Sequence, residues 1–422
     1  MSSMVKKFNL SEWLSWMEQC HPSEIELGLA RVSEVAEKLA IDLSQSTVVT
    51  VGGTNGKGST VSYLNRIYQH AGYSVGCYTS PHFLYYNERV RLDSRNVTDA
   101  LLCDAFERID QARGEIPLTY FEFGTLAALL IFSDQKPDLV LLEVGLGGRL
   151  DAVNIIDADI SVVTTVAIDH IDWLGDDRDQ IGFEKAGIYR PDRPAVCGDL
   201  SPPPSIARYA AEIGAKLYQA GTEFSYSAEG ELWCWKGETV NGNDRQLNQL
   251  SKPSLPLQNA ATALQVSELI PLEVTESDLR YGIQFAELTG RMQHIEKTGV
   301  HYWLDVAHNP EAAELLKEQI LGMPGNVTLI LGMLADKDCQ QVIEILEPVV
   351  TSVCLVSLDV PRGQKAEELS KLFSDKTEAR LFSSVTEAIG QIQLDTDSHE
   401  NVIIAGSFFT VSHALTELGR DQ

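Results

Sequence analysis

The stretch TVVTVGGTNGKGSTVSYLNRIYQHAG, residues 47–72, constrains the architecture of this chain more than any other. Its first part, 47–53, is rich in β-branched residues and reads as a buried strand. Val61, Leu64 and Ile67 then recur at helical spacing, with Gly72 as a stop. Strand, glycine-rich turn and helix start together make an anion site, because free backbone N–H groups and the positive end of the helix dipole converge there. The common phosphate loop is Gly, four residues, then Gly-Lys-Ser/Thr. Here the residue five before Gly56 is Val51, and the hydroxyl arrives one place late, at Ser59, because Gly58 intervenes. Two readings are open. One is an ordinary βα turn with a solvated lysine. The other is a shorter cradle: Gly52, Gly53, Gly56 and Gly58 admit oxygen close to the backbone, Lys57 reaches the β- and γ-phosphates, and Ser59 or Thr60 supplies a hydroxyl near Mg²⁺.

The same alternation continues. YSVGCYTS (73–80), DLVLLEVG (138–145) and DISVVTTVAIDH (159–170) read as further strands, the last two near-continuously apolar as in a parallel sheet covered on both faces. This predicts an α/β doubly wound domain. Residues 224–250, FSYSAEGELWCWKGETVNGNDRQLNQL, alternate between turns and predict a β-hairpin or meander on its flank. A second α/β run follows LTGRMQH (288–294), with HYWLDVAHNP, NVTLILGML, SVCLVSL, ARLFSS and NVIIAGSFF as strand segments. The expected division is 1–288, an ATP-binding domain of P-loop type, and 289–422, a smaller Rossmann-like α/β domain. A length of 422 residues suits two or three cores.

Charge narrows the partners. There are 60 acidic and 33 basic residues, a net charge of −27, which repels polyanions and argues against nucleic acid. Small anions are not excluded, since fields are screened within about 8 Å and a local nest of amides, lysine and metal can dominate a pocket. The seven cysteines are scattered, form no CxxC pair and suit a reducing compartment. The first residues lack the apolar core of a secretory signal, and no apolar run reaches the roughly 18 residues of a membrane span. A cytoplasmic protein without membrane partners is expected.

Four further stretches carry chemistry. LEVGLGGRLDAVN (142–154) puts Glu143 at the carboxyl end of an apolar strand, where open sheets place ligands; it is a Mg²⁺ ligand or a solvated strand-end acid. AIDHIDWLG (167–175) ends the next strand with Asp169 and His170, at the same sheet edge; the histidine is a metal or phosphate contact or a structural residue. GFEKAGIYRP (182–191) places Lys185 on a short helix. It either pairs with phosphate or, desolvated and neutral, takes up CO₂ as a carbamate. LDVAHNPEAA (304–313) starts a helix at Asn309 and Pro310, with Asp305 and His308 at the end of the preceding strand, as nucleotide contacts or as a capping turn.

These stretches, together with YTSPH, TYFEFGTLAAL, EKAGI, LTGRMQ and GML-DKD, resemble the folylpolyglutamate synthase family in its bifunctional bacterial dihydrofolate synthase form. That family is similar in fold and chemistry to the Mur ligases, and its phosphate loop has the compact Gly-Thr-Asn-Gly-Lys form. The resemblance runs from near residue 27 to AGSFFTVSHAL. It implies that Thr54, Asn55, Gly56, Lys57, Gly58, Ser59 and Thr60 hold ATP, with Asn259, Arg291 and Asp305 contributing from the hinge and second domain. It implies Ser80 and Glu143 on a first Mg²⁺, His170 on a second, and K⁺ as a candidate further ion. Lys185 is then the carbamylated lysine, and His308 the nucleotide-side histidine. Leu27, Gly28 and Leu29, Thr119, Tyr120, Phe121 and Glu122, and Leu150, Asp151 and Ala152 line the pterin pocket by the same implication.

The implied reaction is ATP-dependent amide formation. A carboxylate of dihydropteroate or a reduced folate takes the γ-phosphoryl group, and the amine of L-glutamate then displaces phosphate. Domain closure around the reactants and a monomeric state are expected. Asp151 and His308 are candidate proton acceptors. The alternatives are a folylpolyglutamate synthase alone, or another Mur-type ligase acting on a UDP-sugar peptide. The latter needs a uridine-nucleotide domain, and only 46 residues precede Thr47. A GTPase switch lacks its Asn-Lys-x-Asp stretch, and a non-catalytic ATP scaffold is the remaining reading.

Overall fold

The computed structural model describes residues 7–21, 26–374, 377–394 and 401–419. Two compact units partition the chain, one ending at Ala286 and one beginning at Glu287.

The first unit is built on eight strands: β1 (Thr47–Gly52), β2 (Val75–Tyr78), β3 (Val90–Leu92), β4 (Arg95–Asn96), β5 (Leu139–Glu143), β6 (Ile160–Val163), β7 (Pro194–Cys197) and β8 (Lys216–Gln219). They lie in the order β4-β3-β2-β5-β1-β6-β7-β8. The pairs from β2 to β8 are parallel, and β3 and β4 add an antiparallel edge. Strands β5 and β6 are buried along their whole length, because helices cover both faces. Helix Tyr120–Gln135 is the extreme case, apolar nearly all round and buried from Glu122 to Phe132. The chain leaves β1 for β2, returns through β5 and then crosses β1 to reach β6. The strand order thus reverses around β1, and a crevice opens outside the carboxyl ends of β5, β1 and β6. Register sets Val51 between Glu143 and Val162.

Strand β6 is shorter than its apolar run. It stops at Val163, and residues 164–170 leave the sheet. The cause lies in the two threonines. Thr164 Oγ1 donates to Asn55 O (2.6 Å) and Gly52 O (3.2 Å), and Thr165 O accepts from Thr54 N (2.8 Å). The segment binds the loop beside it instead of extending the ladder. Asp169 and His170 therefore lie in a loop, not at a strand end.

On the flank, β9 (Ser225–Glu229), β10 (Leu232–Glu238) and β11 (Asp244–Ser251) form an antiparallel meander with an irregularity between Trp233 and Trp235. The second unit holds β12 (Gln293–Lys297), β13 (Val300–Leu304), β14 (Val327–Leu331), β15 (Ser352–Val356), β16 (Ala379–Phe382) and β17 (Asn401–Ala405). Their order is β12-β13-β17-β14-β15-β16, all parallel except β12 against β13. Among the described residues no helix is long and apolar enough to cross a membrane.

Candidate active site

The phosphate-loop candidate joins β1 to helix Lys57–His70. Gly56 is the N-cap in the left-handed conformation (φ 84°), and a Cβ there would lie 2.4 Å from Asn259 Oδ1. Gly53 (φ 141°) is as tightly confined, its virtual Cβ falling 1.9 Å from Thr164 Oγ1. Only glycine meets both conditions. Asn259, on helix Leu257–Ser267, is buried and walls the loop on one side, and Thr164 walls the other. Thr54 Oγ1 accepts from Ala167 N (3.0 Å) and donates to Ala167 O (3.1 Å), while Asn55 N donates to Thr165 Oγ1 (3.1 Å). The loop is thus shaped before any ligand arrives. Lys57 lies across it, with Nζ 2.9 Å from Gly53 O and 3.0 Å from Thr54 O. Thr60 Oγ1 is bonded to Gly56 O (3.0 Å), whereas Ser59 Oγ is buried without a hydrogen-bond partner. The late hydroxyl is therefore the one left over for a ligand.

Glu143 is the last residue of β5 and is buried; its Oε2 accepts from Ser80 N (3.1 Å), in the loop after β2. Lys57, Gly145, Gly147, Asp169, His170 and Lys185 line one cleft together with Gly53 and Thr54. Lys185 is buried at the end of helix Arg178–Ala186. His170 is exposed, has positive φ (53°) and caps the short helix Ile171–Leu174, its backbone N–H on Asp169 Oδ1 (2.8 Å). A carboxylate, a serine hydroxyl and one imidazole make a largely oxygen donor set for a hard divalent ion. Among the described residues no group of three His, Cys, Asp or Glu is placed to hold a metal alone. An oxygen-rich donor set of this kind is what Mg²⁺ takes, with waters and substrate phosphates completing its shell.

The pterin-side candidates divide. Glu122 closes a capping box with Thr119 at the start of helix Tyr120–Gln135 and pairs with Arg31 (2.9 Å). Tyr120 and Phe121 are only partly buried; the Phe121 ring would lie 2.5 Å from a Cβ on Gly145. Leu27, Gly28 and Leu29 precede helix Ala30–Lys38 and are partly buried. Leu150 is partly buried, and Ala152 is buried. Asp151 is fully internal. Its Oδ2 accepts from Gly145 N (3.0 Å) and Leu146 N (2.8 Å), and its Oδ1 from Val153 N (3.0 Å). Burial pushes its carboxyl up to about 6, against the pull of those amides and of Lys57.

In the second unit, Asp305 follows β13 and accepts from Met292 N (3.0 Å) and Ala307 N (2.9 Å). Burial raises its pKa, opposed first by the charge of Arg291. The Arg291 guanidinium lies 5.9 Å from the Phe408 ring, and His308 Nδ1 is 2.7 Å from Val306 O. Asn309 caps helix Pro310–Leu321 through Ala312 N. Asp305 and His308 belong to the loop after the strand. A cavity of about 320 Å³ lies elsewhere in this unit, between Lys365 and Phe382, and contains none of the predicted site residues.

Sequence reasoning missed Thr164 and Thr165, which hold the phosphate loop, though two threonines inside an apolar run were a visible signal. It also missed Arg89, whose Nε donates to His82 Nδ1 (2.9 Å) in the YTSPH stretch. Burial and that guanidinium depress His82 to about 4.

The two parallel α/β units, with a compact phosphate loop in the first, have the architecture of the Mur-type ligases. Residues 290–408 match the family model "Mur ligase, glutamate ligase domain". The Escherichia coli dihydrofolate synthase/folylpolyglutamate synthase is 43% identical over 96% of this chain and 94% of its own length. The Bacillus subtilis relative of the same name is 30% identical, over 94% and 96%. The structure of E. coli FolC in complex with DHPP and ADP superposes with TM-score 0.92 at 42% identity, covering 98% of this chain and 99% of that one. A bifunctional folylpolyglutamate synthase/dihydrofolate synthase solved with Mn, AMPPNP and L-glutamate gives 0.90 at 43%, covering 98% of each. The chain belongs to the dihydrofolate synthase/folylpolyglutamate synthase family.

Proposed function

We propose that this protein is an ATP-dependent ligase that forms an amide between L-glutamate and two acceptors: 7,8-dihydropteroate, giving dihydrofolate, and tetrahydrofolate, giving polyglutamates. The observation that carries this reading is the cleft shared by the phosphate loop, the loop after Glu143, His170 and Lys185. Relatives solved with nucleotide, metal and glutamate support it.

In this reading the loop of residues 54–60 and Asn259 seat the triphosphate. Lys57 turns from Gly53 O and Thr54 O toward the β- and γ-phosphates. The acceptor carboxylate attacks the γ-phosphorus, ADP leaves, and an acyl phosphate forms. The glutamate amine then attacks the acyl carbon, loses a proton, and phosphate departs. Holding three reactants together is worth effective molarities of roughly 10⁵–10⁸ M. Ser80 and Glu143 are assigned to one Mg²⁺ and His170 to a second, with K⁺ a further candidate; bound divalent ions offset the negative charge that gathers in both steps. Lys185 is assigned a carbamate, formed from its neutral amine and CO₂ with release of a proton, which places a carboxylate-like group in the cleft. Leu27, Gly28, Leu29, Thr119, Tyr120, Phe121, Leu150 and Ala152 are assigned to the pterin side. Glu122 and Asp151 shape that side through their caps. Arg291 and Asp305 are the second unit's assigned contribution to ATP, with His308 nearby. A cytoplasmic monomer is the accompanying expectation.

The test is ADP release with ATP, Mg²⁺ and glutamate, first with dihydropteroate and then with tetrahydrofolate. Release that needs both glutamate and a pterin is expected, and release indifferent to the pterin defeats the reading. Activity with tetrahydrofolate alone would reduce it to a folylpolyglutamate synthase. Lys185→Ala is expected to lose about 10²–10³-fold in turnover, with partial rescue by short carboxylic acids. Undiminished activity in that variant removes the carbamate.

A further inference from the structure

Glu143 and Lys185 stand on different elements, the end of β5 and the end of helix Arg178–Ala186. Any reaction that uses both needs their separation fixed. The segment 145–154 spans the two, and hydrogen bonds tie it at both ends. At the strand side, Gly145 and Leu146 donate to buried Asp151. At the helix side, Arg149 N donates to Glu184 O (2.8 Å), the residue before Lys185. Gly148 lies so close that a Cβ would come 2.8 Å from Glu184 O and 2.9 Å from Lys185 O. Asn154 Nδ2 donates to both Arg149 O (3.0 Å) and Gly187 O (3.1 Å), stitching the segment to the far side of Lys185. Outside this backbone seam sits one ion pair. Arg149 Nη2 is 2.8 Å from Glu184 Oε1, and its Nε is 3.2 Å from both carboxylate oxygens.

We propose that the Arg149–Glu184 pair is a clasp that sets the spacing between Glu143 and Lys185, so that both are positioning residues for the ligation. The inference rests on the functional reading above. The pair touches no reacting group in that reading. The Arg149 side chain is 41% exposed and that of Glu184 20%, so as a stabilising ion pair it is worth little. Its weight lies in where it is anchored: Glu184 is covalently next to Lys185, and Arg149 lies on the loop that leaves Glu143. Releasing the clasp leaves the fold and the backbone seam in place but loosens the seam beside Lys185, a small displacement to which a metal-dependent reaction is sensitive.

The test uses the full chain and four variants: Arg149→Ala, Glu184→Ala, the double variant and Arg149→Lys. Mn²⁺ binding in the presence of AMPPNP is titrated by electron paramagnetic resonance, beside kcat, KM for ATP and the melting temperature. Each alanine variant is expected to lose about tenfold in Mn²⁺ affinity and in kcat, with KM for ATP within about twofold and melting nearly unchanged. The double variant is expected to be no worse than either single one, since the two act as a unit. Arg149→Lys is expected to recover part of the loss. Mn²⁺ affinity within about twofold of wild type in both single variants overturns the clasp, as do additive losses that follow a fall in melting temperature. Should the alanine variants fail to fold, Arg149→Lys and Glu184→Gln give the same Mn²⁺ readout on folded protein, and wild-type affinity in both overturns it. Failure of the functional reading is separate: it shows as wild-type turnover without pterin dependence, while the Mn²⁺ titration still decides the clasp.

Discussion

Two glycine loops leave adjacent strands of the first sheet, 53–58 after β1 and 145–148 after β5, and they are held in opposite ways. The first is held from outside by hydroxyls, from Thr164 and Thr165, and by the buried amide of Asn259. Its Thr54 and Asn55 amides go to Thr165, the helix Lys57–His70 begins at its far end, and the buried Ser59 hydroxyl has no protein partner. The second is held from inside by a carboxylate: Asp151 takes the Gly145 and Leu146 amides for itself. One loop leads into a helix N-terminus with an unpartnered buried hydroxyl, and the other has its anion built in. Glycine count therefore says little about which loop suits an anion; the groups that reach each loop separate the two.

The largest effect expected from this contrast is that of Gly56→Ala. Left-handed backbone costs a non-glycine residue about 1–2 kcal/mol, and the new Cβ meets the confined Asn259 amide. Roughly 3 kcal/mol in total predicts a loss of about two orders of magnitude in ATP affinity, read by calorimetric titration. Gly147→Ala is the matched control. Its φ is also positive (67°), but the added Cβ meets only the tip of Leu174, at 3.2 Å. About tenfold or less is expected there. Equal losses in the two variants would erase the distinction between the loops.

Next in size is Asp151→Asn, read as stability against pH. The carboxyl is pushed up to about 6 in the folded state, against an ordinary carboxylate value near 3.9 in the unfolded chain. Between those values the folded state binds more protons. The stability Asp151 contributes is thus fully present below about 4 and is lost as pH rises through 6. Asparagine cannot ionise, so it removes that slope, while its amide can accept from the Gly145 and Leu146 side but not also from Val153 N. The variant is expected to be less stable than wild type at pH 4 and to close the gap by about 1–3 kcal/mol at pH 8. A gap constant across that range would mean that Asp151 titrates normally and that the second loop is not organised by a buried acid.

Much of this was legible in the residues. The apolar runs of β1 and β5, the helix from Lys57 and the Asn309–Pro310 start all follow from periodicity and capping chemistry. What escaped the sequence was where side chains send their hydrogen bonds. Thr164 and Thr165 have strand propensity and an apolar neighbourhood, so they read as ladder residues; their hydroxyls instead end β6 early. The resemblance implies Asp151 on the pterin side, and only the fold shows three amides around it. Glu143 and Lys185 are far apart in sequence, and some of the hydrogen bonds between segment 145–154 and residues 184–187 end on backbone carbonyls, which leave no trace in residue identity.

The smallest effect tests the outside support of the first loop. Thr164→Val keeps shape and burial but removes the hydroxyl that reaches Asn55 O at 2.6 Å, leaving that carbonyl the weaker Thr165 contact at 3.4 Å. Loss of one such hydrogen bond costs about 1 kcal/mol. If the bond chiefly sets the loop, the cost falls on the ligand, and ATP affinity drops about fivefold with little change in melting temperature. Thr164→Ser, which keeps the hydroxyl, should stay near wild type. A melting temperature lowered by several degrees with ATP affinity intact would place the threonine in the core's support instead, and the first loop would then hold its shape as the second does, from within.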